Sequence, residues 1–175
     1  MLSKINIFKI ITNHIATLRN VNTKRMAFDD LLTFLLIPLI ISIGLILLKV
    51  CLNDSAITII ITTLSILVGL LFNVIVIIFD IIKRDNTKRL KNKILHELLT
   101  NISFSIILSI VIILFTLMTY FTNECIKLLS TGFVYFFLCI YFFTVLMIIK
   151  RMYQMFINEL DEIENDGASS ISWMV

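Results

Sequence analysis

Polar residues interrupt one long apolar run at helical spacing. Thr58, Thr62, Ser65, Gly69, Asn73 and Asp80 fall on a single face of a helix, with Val76 continuing the line. A second apolar run carries Asn101, Ser105, Ser109 and Thr116 in the same way. These types exchange hydrogen bonds with water or with each other, so the chemistry they suit is the solvation of a path through an apolar medium. A polar side chain deep in such a segment is costly and faces protein or water. Asn73, Asp80 and Asn101 weigh most on that count. The hydroxyls and Gly69 equally suit close helix packing. Asp80 is near a helix end, where it can meet Lys83 or Arg84 at an interface.

Other constellations fail on spacing. His96-Glu97-Leu98-Leu99-Thr100 opens like a zinc-protease helix, but the second His at i+4 is missing. The chain has 2 His and 3 Cys. Cys51 and Cys125 fall on one side of the membrane in the topology below, so their pairing stays open, while Cys139 reads as a small buried hydrophobe. No phosphate loop and no Ser–His–Asp set occurs. No enzyme, metal or cofactor is expected.

The elements that must carry the polar faces follow from composition. Of 175 residues 59% are hydrophobic and 15% charged, against roughly half and about a quarter in soluble domains. A domain of this length leaves much of its surface in water, so a membrane protein is expected. Four runs match the ~20 residues of a membrane helix: about 31–48, 56–82, 98–121 and 133–149. Among the 15 basic residues only Lys49 and Lys127 fall in the loops near Asn53 and Asn123. The positive-inside bias therefore places both termini in the cytosol. Residues 1–30 form a head, 31–149 the membrane domain and 150–175 a cytosolic tail. The fourth span is rich in Phe, which suits a lipid-facing, outer position, and spans one and four lack polar stripes.

The head reads as an amphipathic helix: Ile5, Phe8, Ile11, Ile15 and Leu18 recur at helical spacing. It suits the membrane interface or a neighbouring subunit. The tail continues span four, with Met152, Phe156, Leu160 and Ile163 as an apolar seam and a flexible stretch at 166–170. The turn 83–93 holds Lys83, Arg84, Lys88, Arg89, Lys91 and Lys93. Topology and anionic lipid account for much of this charge. Repeated around an oligomer axis together with Lys24 and Arg25, it would also attract a polyanion through its phosphates. No aromatic residue is interleaved, so base stacking is not indicated there.

Gly69-Leu70-Leu71-Phe72-Asn73, His96 to Phe104 and Leu146-Met147-Ile148-Ile149-Lys150-Arg151-Met152-Tyr153 resemble stretches of small four-span membrane effectors of bacterial anti-phage defence, the Hailong type. The resemblance covers spans two to four. It implies a homotetrameric channel held shut by single-stranded DNA oligomers that a nucleotidyltransferase encoded nearby would make. Infection would remove the oligomers, and depolarisation would end in abortive infection.

The expectation is an all-α integral membrane protein of the bacterial inner membrane. It has four transmembrane helices, an N-terminal amphipathic helix and a cytosolic extension of the last helix. Four helices cannot both pack and enclose water, so a channel requires a homo-oligomer of closed symmetry. The expected function is an ion channel gated from the cytosol by a nucleotide or oligonucleotide. Its path would be lined by Thr62, Ser65, Gly69, Asn73, Asp80, Asn101, Ser105 and Ser109. Two alternatives stand beside it: a non-conducting adaptor that recruits a cytosolic partner, and a small proton-coupled exporter relying on Asp80.

Overall fold

A computed structural model describes residues 7–17, 28–84, 89–121 and 123–172, with side-chain surroundings for 9–15, 34–80, 94–121, 123 and 126–157. Five helices follow one another: α1 (Ile7–Thr17), α2 (Phe28–Leu47), α3 (Asp54–Arg84), α4 (Arg89–Met118) and α5 (Glu124–Ser172). Asp54–Asp80, Ile94–Met118 and Ile126–Ile157 are long and apolar enough to cross a membrane. α2 has 20 residues, about 30 Å of helix, and among the described side chains its apolar stretch is Phe34–Leu47.

Local chemistry sets the helix ends. Asn53 caps α3 by accepting the Ala56 N–H on Oδ1 at 2.8 Å, and Asp54 sits in the first turn, where a carboxylate complements the helix dipole. α2 closes with two backbone bonds, Val50 N–H to Leu45 O at 3.1 Å and Lys49 N–H to Ile46 O at 2.9 Å. This arrangement needs a left-handed residue after the helix, usually glycine. Here it is Lys49, at φ 53°. A side chain in that region costs about 1–2 kcal/mol. Lys49→Gly is therefore expected to raise the detergent-solubilised protein's stability by about 1 kcal/mol, read as a higher Tm.

α4 packs against α5, α3 and α1, and α5 packs also against α2. The order across the bundle is α3, α4, α5, α2. Two buried clusters join α3, α4 and α5. One, near the α2–α3 loop, holds Leu52, Ile57, Leu64, Leu108, Ile112, Val134 and Tyr141. The other holds Leu71, Ile78, Leu95, Leu98, Ile102, Ile148 and Met155. In lipid such contacts gain little from leaving water, and close van der Waals fit does the holding.

α5 lies between α4 and α2, not at the edge of the bundle, although Phe133 and Phe142 stay exposed as a lipid-facing reading expects. Phe115 of α4 stacks on Phe133 at 5.4 Å and meets Phe137 at 5.8 Å. α5 also buries Ser130, Thr131, Gly132 and Thr144, a small polar set that a reading of span four as merely aromatic misses. Ser130 Oγ donates to Phe115 O at 2.9 Å, tying the two helices together. α5 runs unbroken through 166–170, the residues expected to form a flexible end.

Candidate functional site

The two polar faces part company. On α3, Thr58, Thr62, Ser65, Gly69, Asn73 and Asp80 are all exposed. Only 11% of the α3 span is buried by the chain, against 44% and 33% for the spans of α4 and α5. A side chain at Gly69 would meet open space. Two of the hydroxyls are satisfied by their own helix: Thr58 Oγ1 donates to Asp54 O at 2.9 Å and Ser65 Oγ to Ile61 O at 2.8 Å. Hydroxyls bonded in this way travel cheaply in an apolar medium. A carboxamide has more donors and acceptors than its own helix can satisfy, which makes exposed Asn73 the most demanding uncharged group on the face.

On α4 the polar residues point into the protomer. Asn101, Ser105, Ser109 and Thr116 are each 0% exposed. Ser109 Oγ donates to Ser105 O at 2.7 Å and Thr116 Oγ1 to Ile112 O at 2.8 Å. Asn101, Ser105 and Ser109, expected to line the same path as the α3 residues, are thus packed inside the chain and share no surface with them.

What Asn101 meets is His14, a residue the sequence reading passed over. His14 Nδ1–H donates to Asn101 Oδ1 at 2.9 Å. The imidazole lies flat on Phe104, ring centres 3.9 Å apart and planes 9° from parallel, and is tilted against Phe34 of α2 at 6.2 Å. It is 2% exposed. The head helix therefore docks on α4 of its own chain, an arrangement outside the two foreseen for it. Of the apolar stripe, Ile11 is half-buried and Ile15 exposed, while His14 is buried; Ile5, Phe8 and Leu18 lie outside the described side chains. The available signal was a histidine among apolar residues and an asparagine early in a span, two groups that can satisfy each other.

A second polar contact lies alongside. Arg151 of α5 donates to the Glu97 carboxylate of α4, both partly buried. Burial holds the His14 pKa below 6.5, and the nearby Arg151 charge pushes the same way, while the hydrogen bond to Asn101 opposes them. The docked ring is neutral as a result. Lys150-Arg151, read from the sequence as a topology signal and as part of the resemblance, thus supplies one half of an interhelical ion pair through Arg151.

The basic residues expected to hold a polyanion are Lys24, Arg25, Lys83, Arg84, Lys88, Arg89, Lys91 and Lys93. Their side chains lie outside the described residues. Cys51 is an exposed free thiol, and the Cys125 side chain falls outside the described set. Among the described residues no group of His, Cys, Asp or Glu comes together that could hold a metal ion. Comparison of the chain with family models, curated proteins and solved structures finds no match.

Proposed function

We propose that the protein is a homo-oligomeric ion channel of the bacterial inner membrane that acts in anti-phage defence by depolarising the cell. α2 serves as the fourth span, and both termini lie in the cytosol. The observation that carries the reading is the exposed polar face of α3. A span with Thr62, Ser65, Gly69, Asn73 and Asp80 on its uncovered side is poorly matched to lipid. Turned toward the axis of a ring of copies, the same face meets water. The buried polar residues of α4 then hold the wall of each protomer together and do not touch ions. The stretch 83–93, expected as a turn, is largely helical, with Lys83 and Arg84 closing α3 and Arg89, Lys91 and Lys93 opening α4; these residues with Lys88, Lys24 and Arg25 face the cytosol and hold a nucleotide or single-stranded DNA regulator by its phosphates. The resemblance noted above adds a tetrameric ring and a nucleotidyltransferase partner.

The test is ion flux. Purified protein in liposomes should pass monovalent ions, and a short single-stranded DNA on the basic side should reduce that flux. The reduction should weaken as salt is raised. Correctly inserted protein that passes no ions with or without the oligonucleotide would refute the channel.

One observation favours the adaptor as second reading. After Lys150-Arg151, α5 exposes Tyr153, Phe156 and Ile157, an apolar surface near the end of the span that a partner could cover. An adaptor would copurify with a cytosolic partner, lose it on Tyr153→Ser with Phe156→Ser, and conduct nothing.

A further inference from the structure

α5 meets its own chain on two sides. On one, Val134, Tyr141, Ile148 and Met155 are buried in the clusters it forms with α3 and α4. They recur every seven residues, the repeat of helices that cross at a shallow angle. On another, α2 comes close. Ser42 Oγ donates to Gly132 O at 2.7 Å, and Ile46 occupies the space that a side chain at residue 132 would take.

A third side is left uncovered. Phe142, Leu146, Ile149, Tyr153 and Phe156 are exposed and follow one another at steps of four, three, four and three residues. Met152, expected to head a seam here, is instead half-buried against the second cluster, and Tyr153 takes its place. Phe142 also borders a cavity of about 330 Å³ between α3 and α5, walled by Ile59, Thr63, Leu67, Leu138 and Val145. The uncovered side is therefore hollow at that level and can receive side chains from a neighbour.

The medium changes along this face, but the apolar count does not. Phe142 to Phe156 lie within the apolar span that ends at Ile157, where lipid or protein can cover them. The same steps continue to Leu160 and Ile163, on a helix that runs to Ser172. Glu159, Asp161, Glu162 and Glu164 stand among them. So charged a stretch lies in water, where lipid cannot cover an apolar stripe and a protein surface can. One cover serves both parts only if it crosses the membrane surface as a helix does. The exposed polar face of α3 already calls for copies of the chain side by side, and a copy brings such helices with it. Two α5 helices laid parallel on this seam would set Glu159 against Glu164 of the other copy. The covering helix is therefore a different one, and contact between unlike surfaces is the kind that closes a ring.

We propose that the face of α5 from Phe142 to Ile163 is a subunit interface, covered by a helix other than α5 from a second copy of the chain. This deepens the reading above. It rests on the assembly of copies, not on conduction.

The test is photo-crosslinking of the full chain in bacterial membranes, with a benzophenone side chain in place of Leu146 or of Tyr153. Illumination should give a covalent dimer on a denaturing gel at both positions, and digestion should place the captured segment outside α5. Leu146→Ala with Ile149→Ala should weaken association at least about tenfold, the equivalent of ~1.4 kcal/mol, read by energy transfer between labelled copies as they are diluted in lipid. The helical content should stay as it is, because both side chains are exposed. Capture of lipid alone, of a different protein or of α5 itself overturns the proposal. So does association that the double substitution leaves unmoved. Flux is read separately. Cross-linked copies that pass no ions leave this interface standing and remove the channel, and a conducting protein without the cross-links removes the interface alone.

Discussion

Lowering the pH from about 7.5 to about 5.5 is expected to weaken the docking of α1 on the bundle by up to about tenfold. The sign follows from His14. When α1 is undocked, its ring takes up a proton near the ordinary value of 6.5. In the docked state burial holds the pKa lower, outweighing the opposing hydrogen bond to Asn101, and the Arg151 charge adds a smaller push in the same direction as burial. Docking is therefore at full strength above about 6.5 and weakens as pH falls from there through the docked pKa. Among the described residues, the charge acting on the ring from a packed helix is Arg151, itself tied to Glu97. Lys9 lies on its own helix. Hydrogen exchange of residues 7–17 in the full chain, corrected for intrinsic rate, reads the change. His14→Phe keeps an aromatic ring on Phe104 and cannot titrate, so its exchange should lose the pH dependence. His14→Ala removes the ring altogether and should cost about 2–4 kcal/mol of docking at every pH. An exchange profile for the unaltered protein that is flat over this range would show that the ring does not control α1.

The second large effect separates two asparagines. Asn73→Leu is expected to cut ion flux in liposomes by about tenfold or more, because a ring of leucines in a narrow path favours its drying. The helical content and the docking of α1 should not change, since Asn73 is exposed on α3. Asn101→Leu is expected to act in the opposite manner. It removes the acceptor of the His14 N–H, costs about 1–3 kcal/mol, and should raise exchange across α1. Flux unaffected by Asn73→Leu would remove α3 from the ion path. Flux abolished by Asn101→Leu in a protein of undiminished stability would put α4 back into it.

The helices were legible because membrane helices are written in long apolar runs with charges at their ends. α3 and α4 fall close to where Asp54, Arg84 and Arg89 punctuate the sequence. What each face meets was not legible. Asn73 and Asn101 have the same chemistry and similar apolar neighbours, yet one is exposed and the other is wholly buried. The partner of Asn101 comes from α1, and nothing in α4 alone announces that His14 will arrive there. Span four misled for a related reason. Phe suits lipid and helix interfaces equally, and only the small residues Ser130, Thr131 and Gly132 hinted at close approach. The basic turn shows the limit in another form, since its charge is plain in the sequence while what it holds depends on neighbouring copies.

α5 is 49 residues of uninterrupted helix, about 74 Å from end to end. It contains no proline, the residue most able to bend it. Such an element behaves as a stiff rod. A sideways pull on its cytosolic end would pivot about the contacts with α4 and be delivered, without any relay, to the Gly132 crossing near the opposite face of the membrane. Whatever grips that end, a second protein or a neighbouring copy, thereby gains mechanical leverage on the whole bundle.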